Sequence, residues 1–494
     1  MIYNLIETLI DYALIEGLIF ESDVVYTKNR IAYFLHLDEV KDGEVLDLKF
    51  EDLIEAFVKY GVENNLCEDT QVSKDLFDTE LMSFLTDRPS NIIDNFNSLY
   101  SLNKEEATNY FYDFSIKTNY IRKYRVDKDL KWKTKTEYGE LDITINLSKP
   151  EKDPKDIERQ KNMPKTNYPI CLLCKENEGY HGRLNHPARA NIRLIPLKLD
   201  NEDFYMQYSP YSYYNEHCIV LSAEHHPMAI DKKCFTKLLD FIDFLPHYFV
   251  GSNADLPIVG GSILAHEHFQ GGRYEFAMNK AECIYSFKVK GYENVSCELL
   301  KWPLSVIRLK SDNKEEMINL ADHVLKTWID YSDSECGIIA YTDGVRHNTI
   351  TPIARSGKNG GYELDLVLRC NITTDEHPLG VFHPHKEYHH LKKENIGLIE
   401  VMGLAVLPSR LKTEIKMLSD ALVNGEDISK NEVISKHNDW ANELKKKYTF
   451  TKDNVEEILQ EEIGKTFAKI LECSGVFKQT ETGIQRFKKF IETL

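Results

Sequence analysis

Asp255-Leu-Pro-Ile-Val-Gly-Gly-Ser-Ile-Leu-Ala-His-Glu-His-Phe-Gln-Gly-Gly272 is the stretch on which the reading of this chain turns. An apolar run leads into one glycine pair, and a second pair closes the stretch. Between the pairs, His266, His268 and Gln270 stand two residues apart. Drawn as a strand, the segment puts these three side chains on one face and Glu267 and Phe269 on the other. Gly260, Gly261, Gly271 and Gly272 let a bulky, charged ligand approach the backbone. A neutral imidazole is a competent nucleophile at pH 7, and its attack on phosphorus gives a phosphoramidate. A glutamine amide two residues on can donate to a non-bridging phosphate oxygen as charge builds there. The other histidine orients the site, directly or by holding a metal. The plain alternative is a strand whose histidines do ordinary core and surface work. Three convergent polar groups between paired glycines weigh against it.

Outward from this stretch, 494 residues are enough for two or three domains, and 42% hydrophobic content supports a substantial core. A net charge of −18 argues against a nucleic-acid-binding protein, which would carry a basic face. The first residues show no basic region ahead of an apolar one, and no run of eighteen apolar residues occurs. Ten widely spread cysteines do not make a disulfide framework. The expectation is a cytoplasmic protein with reduced thiols, no membrane contact and no organic cofactor.

In chain order, Ile2, Leu5, Ile6, Leu9 and Ile10 recur at helical spacing, as do the apolar residues from Leu48 to Tyr60. Residues 1–165 read as a mainly helical region ending in a strand-like stretch, Leu141 to Leu147, and a charged connector, Lys149 to Lys165. Residues 166–385 read as the catalytic core. It opens on Cys171-Leu-Leu-Cys174, the knuckle spacing of half a thiolate metal site. Strands are predicted at Ile192–Ile195, Phe204–Tyr208 and His217–Leu221, then a helix from Lys232 to Phe249. Beyond the central stretch, strands are predicted at Leu304–Lys310, Glu335–Thr342 and Leu364–Asn371, with a helix from Lys314 to Tyr331. His383-Pro-His385 copies the spacing of the central histidines but lacks the glycine pairs and the glutamine. Residues 386–494 read as mainly helical.

The string DLPIVGGSILAHEHFQGG resembles the signature of the class II galactose-1-phosphate uridylyltransferases, the long bacterial form within the histidine-triad superfamily, over all eighteen positions. Asn146 to Pro154, Tyr211 to Pro227 and His383 to Arg410 are similar to family segments as well. The resemblance implies an α+β fold, with a histidine-triad-like, largely antiparallel sheet core and helical N- and C-terminal regions. It implies transfer of UMP from UDP-glucose to galactose 1-phosphate through a uridylyl-histidine. His268 would be the nucleophile, Gln270 the donor to the phosphoryl oxygens, and His266 the orienting histidine. Asn253 and Ser262 resemble phosphate- or ribose-contacting positions, Arg355 is a candidate phosphate contact, and Gly260 and Gly261 join them as substrate-binding candidates through the backbone approach they allow.

Position by position, the related class I enzymes imply a structural zinc held by Cys171, Cys174, His225 and His266. Asn348 stands where those enzymes place a histidine on a further metal, so a second metal is not carried over. By the same analogy a homodimer is possible. Two rival readings stay open: a nucleotidyl hydrolase or phosphorylase on the same scaffold, and a non-catalytic zinc-bound protein.

Overall fold

In the computed structural model, residues 1–148, 166–261 and 263–494 are described. The predicted connector from 149 to 165, and Ser262, lie outside the described residues. The chain divides by its contacts into two units. One holds Met1–Lys128 and the described part of Pro150–His226, and the other holds Asp129–Lys149, as far as it is described, with Pro227–Leu494.

In the first unit, helices Ile2–Ile15, Val24–Phe34, Phe50–Glu63 and Gln71–Ser83 surround a core that includes Leu5, Leu9, Phe57 and Leu81. Their apolar residues recur at helical spacing, and each fully buried Leu or Phe contributes roughly 1.5–3 kcal/mol. Pro89 opens the next helix, Pro89–Leu102, at its first turn, where a missing N–H costs nothing. Asn103 caps the one after, Lys104–Lys117, by accepting from the Glu105 N–H at 2.8 Å. Strands Ile195–Leu199, Glu202–Tyr208 and Cys218–Ser222 pair antiparallel in sequence order. The buried Tyr208 hydroxyl ties them to the helices by donating to the Thr108 carbonyl at 3.0 Å.

The second unit is built on an antiparallel run of seven strands. In spatial order they are His268–Gly272, Phe249–Gly251, Asn348–Ser356, Tyr362–Cys370, Val306–Ser311, Ser296–Leu300 and Cys283–Phe287. Helices Lys232–Phe244 and Lys314–Ile329 pack against one face. Asn348 points to that face, where its amide donates to the Trp328 and Tyr331 carbonyls, each at 2.8 Å. The opposite face carries polar side chains. Arg308 grips Asp365 through Nε at 2.7 Å and Nη2 at 2.9 Å, and Arg355 Nη1 reaches the same carboxylate at 2.8 Å. A smaller sheet joins the hairpin Leu130–Thr136/Gly139–Ile145 to Leu404–Leu407, which runs parallel to the second hairpin strand. This pairing places the hairpin in the second unit, although it lies early in the chain.

Several predicted elements shift. The strand expected at Ile192 starts at Ile195. The helix from Lys232 ends at Phe244, because Pro246 lacks an N–H and disfavours helical backbone at the residue before it. Phe249 therefore begins a strand. The strand expected from Glu335 to Thr342 is a short 3₁₀ turn, Ser334–Cys336, followed by Gly337 at φ +72°. Only Tyr341–Thr342 is extended there. No helix among the described residues is long and apolar enough to cross a membrane.

Candidate active site and metal cluster

The strand that holds the candidate residues begins at His268, two residues after His266. His266 lies in a bend ahead of it, so the expected single face of three side chains narrows to His268 and Gln270. The bend gives His266 a different use. Its carbonyl accepts a hydrogen bond from His268 Nδ1 at 2.8 Å. A carbonyl cannot donate, so Nδ1 carries the proton and Nε2 of the neutral ring carries the lone pair. Burial holds the His268 pKa below its ordinary value, which keeps the ring neutral and nucleophilic at pH 7. No partner of Nε2 appears among the described residues.

The other side of the strand fixes it in place. Glu267 points to the helix face, where both its oxygens receive Lys237 Nζ, at 3.1 and 2.8 Å. Both side chains are buried. Gln270 pairs across the sheet with Gly251, and Gly251 with Ile353. His268, Gln270, Thr351 and Arg355 thus share the face away from the helices.

The loop leading to the strand is tied to the sheet by Asp255. Its carboxylate accepts from Thr349 Oγ1 at 2.5 Å, Arg346 Nη2 at 2.8 Å and the Ile230 N–H at 3.1 Å. Gly260 and Gly261 serve that loop. A Cβ on Gly260 would meet the Ala254 carbonyl oxygen at 2.2 Å, and one on Gly261 the Asn253 amide nitrogen at 2.8 Å. The chain's own close packing therefore requires both glycines, whatever a ligand needs. Asn253 is buried, and its Oδ1 accepts from the Leu398 N–H at 2.9 Å. Arg355, the candidate phosphate contact, is held within the sheet. Its Nε and Nη1 are engaged by Glu363 at 3.0 Å and Asp365 at 2.8 Å, so its charge is already answered within the sheet.

In the first unit, the predicted knuckle brings Cys171, Cys174 and His225 together. Sγ of Cys174 lies 3.6 Å from Sγ of Cys171 and 3.2 Å from Nδ1 of His225. The Leu173 N–H points at Cys171 Sγ, 3.3 Å away. Separations near 3.5 Å are the edges expected of a tetrahedron with Zn–S about 2.3 Å and Zn–N about 2.0 Å. Two thiols and an imidazole are the donor set that zinc prefers. Burial pushes the Cys174 thiol up to about 11, a cost that a bound cation would reverse by holding the thiolate. All ten cysteines are free of disulfides.

Sequence reasoning missed the support beneath this cluster. Asn177 donates through Nδ2 to the carbonyls of both cysteines, at 2.9 Å for Cys171 and 2.7 Å for Cys174. His186 Nε2 meets Asn177 Oδ1 at 2.6 Å and fixes the amide's orientation. Burial pulls His186 down to about 4, so it is a neutral donor. Nothing in the sequence marks a lone asparagine three residues past a cysteine pair. Lys237 escaped notice for a similar reason, as a lysine within an amphipathic helix reads as surface.

A buried neutral imidazole with Nε2 unbonded among the described residues, on a sheet face with a glutamine, suits an α+β enzyme of the group-transfer kind. Comparison with known proteins narrows that class. The galactose-1-phosphate uridyl transferase N-terminal domain model matches residues 18–227, and the C-terminal domain model matches 242–442. The chain is 52% identical over 498 residues to the galactose-1-phosphate uridylyltransferase of Clostridium acetobutylicum, covering 100% of both chains. It is 52% identical to that of Fusobacterium nucleatum, over 99% of this chain and 98% of the relative. The Bacillus subtilis enzyme is 49% identical, over 99% and 97%. This chain belongs to the galactose-1-phosphate uridylyltransferase family. A solved structure, yeast Ap4A phosphorylase Apa2, covers 60% of this chain and 88% of its own at 11% identity and a TM-score of 0.34, a likeness too slight to carry an argument.

Proposed function

We propose that this enzyme moves UMP from UDP-glucose to galactose 1-phosphate by way of a covalent uridylyl-histidine. The observation that carries the reading is the hydrogen bond from His268 Nδ1 to the His266 carbonyl, which leaves Nε2 as the nucleophile. In the first half-reaction Nε2 attacks the α-phosphorus of UDP-glucose. A P–N bond forms, the P–O bond to the leaving group breaks, and glucose 1-phosphate departs as an anion. In the second half-reaction a phosphate oxygen of galactose 1-phosphate attacks the same phosphorus, the P–N bond breaks, and UDP-galactose leaves. A sugar phosphate is both a good leaving group and a competent nucleophile, so neither a strong acid nor a strong base is required. The protein's part is to position the reactants and stabilise developing charge, with Gln270 donating to the phosphoryl oxygens. Asn253, buried beside the glycine loop, is the candidate substrate contact. The experiment is mass spectrometry after mixing with UDP-glucose alone. The expected result is a UMP adduct on His268, discharged by galactose 1-phosphate. Release of glucose 1-phosphate only when galactose 1-phosphate is present, with no adduct, would mean direct transfer and a wrong nucleophile. Free UMP accumulating without acceptor would favour the hydrolase.

The same reading gives Cys171, Cys174 and His225 a structural zinc, with His266 as the fourth ligand. Four protein ligands leave no open position, so the metal would supply rigidity to the histidine segment and no Lewis acidity. The support is the donor set and spacing of the three clustered residues. Metal analysis of the purified enzyme is expected to find about one zinc per chain, and Cys174→Ser to reduce it at least about tenfold. Full zinc content in that variant would remove Cys174 from the ligand set.

A further inference from the structure

Arg369 is a buried charge of the second unit with no ion pair among the described residues. It lies on the strand Tyr362–Cys370, opposite Thr349 of the neighbouring strand, and is 1% exposed. Its Nη2 donates to the Ile396 carbonyl at 2.9 Å and its Nη1 to Thr351 Oγ1 at 3.4 Å, both neutral groups. Nε is buried with no hydrogen-bond partner. No carboxylate pairs with it among the described residues. Arg308 and Arg355, on the same sheet face, both hold Asp365. The acidic group that lowers the cost of the Arg369 charge is Glu400, and that carboxylate is itself engaged by Lys392 and by the Gly397 N–H at 2.8 Å. Lys392 also lies 3.8 Å from the exposed Glu394, so Glu400 is shared between two cations and Arg369 has no carboxylate of its own among the described residues. Burial pulls even the guanidinium pKa down to about 10. A buried charge without its counterion is costly, and proteins rarely carry one without a use for it.

Its place on the sheet indicates the use. Gln270 pairs with Gly251, and Gly251 with Ile353. The Ser252 N–H continues this pairing to the Pro352 carbonyl at 3.0 Å. Continued two residues past the end of the strand Phe249–Gly251, the same register sets Asn253 between His268 and Thr351. Thr351 is the side chain to which the Arg369 guanidinium reaches. Adjacent strands lie about 4.8 Å apart, so the charge sits roughly 10 Å from His268 along that row. A phosphate joined through one oxygen to the phosphorus on His268 would lie within about that distance of the charge if the substrate runs along this row.

We infer that the counter-charge of Arg369 is the substrate's second phosphate, the one belonging to the departing or incoming sugar phosphate, and that Arg369 is an electrostatic positioning residue for the transfer. The inference rests on the uridylyl-transfer reading above. Arg369 touches no substrate in this scheme. It acts through a short stretch of low-dielectric interior, where one unit charge at such distances changes anion affinity by about tenfold or more.

Isothermal titration with UDP and with UMP, neither of which reacts, reads the effect on the full-length enzyme. Arg369→Met is expected to weaken UDP binding about tenfold and UMP binding by a smaller factor. Arg369→Lys, which keeps the charge, is expected to restore most of the UDP affinity. Urea unfolding adds a readout that separates charge from support. Removing an unanswered charge leaves the unliganded methionine variant at least as stable as the parent, whereas loss of a structural prop would lower its midpoint. Unchanged UDP affinity in Arg369→Met overturns the inference. So does an equal loss in both variants accompanied by lower stability, which would make Arg369 a support for the Ile396 carbonyl. If the parent enzyme bound no UDP, the uridylyl-transfer reading would fail. Inorganic pyrophosphate would then be the probe for Arg369, with the same tenfold loss required.

Discussion

Alanine in place of His268 is expected to lower steady-state turnover of UDP-glucose and galactose 1-phosphate by about 10⁴-fold or more, with UDP-glucose binding still detectable by titration. The size follows from removing the covalent carrier altogether. A two-step transfer with a stable P–N intermediate has no substitute nucleophile on this strand, because Glu267 points to the helix face and is engaged by Lys237. The split between binding and turnover follows from geometry. The imidazole is held by one backbone hydrogen bond, while the loop that precedes it is anchored independently through Asp255 to Thr349, Arg346 and Ile230. Removing the ring should therefore leave the loop standing. Turnover within tenfold of the parent would remove His268 from the mechanism.

The largest effect on stability is expected at Asp365. This wholly buried carboxylate answers two guanidiniums, those of Arg308 and Arg355. Asn in its place keeps the shape and removes the charge, leaving two buried cations with only Glu363, beside Arg355, to offset them. Breaking one side of a buried ion pair costs roughly 3–5 kcal/mol, and urea unfolding of Asp365→Asn should show a loss of that size. A loss below about 1 kcal/mol would mean that the network contributes little. The same carboxylate predicts an acid limb of stability. Burial raises its pKa and the two arginines lower it further, so that it settles at about 2 in the folded protein. A folded pKa below the unfolded value means stability present above pH 4 and lost as pH falls towards 2. The contribution is roughly 2 kcal/mol. Asp365→Asn should lack that part of the acid sensitivity.

Much of this was legible in the sequence because local rules decide it. The spacing of Ile2, Leu5, Ile6, Leu9 and Ile10 marks a helix wherever its apolar face is buried. Pro246 ends a helix by a local rule too, although the apolar spacing carries the expected helix past it to Phe249. The Cys171–Cys174 spacing likewise folds into a knuckle from within its own turn. The alternation around His268 was readable in part: Glu267 and His268 do face opposite ways, as period two requires.

What the sequence could not decide is how distant residues answer one another's charges. Arg355, a candidate phosphate contact, is paired with Glu363 and Asp365 through strand register, whereas Arg369, with no motif around it, has no carboxylate within ion-pair distance among the described residues. Register across the sheet determines both outcomes, and register depends on residues far apart in the chain. The start of the strand at His268 instead of His266 has the same origin, since its pairing partners lie on Phe249–Gly251. Sequence by itself determined the family, the candidate nucleophile and the apolar faces. Tertiary structure decided which nitrogen of the His268 ring is bonded to the backbone and how the buried charges are paired, because both depend on contacts that only the assembled sheet makes.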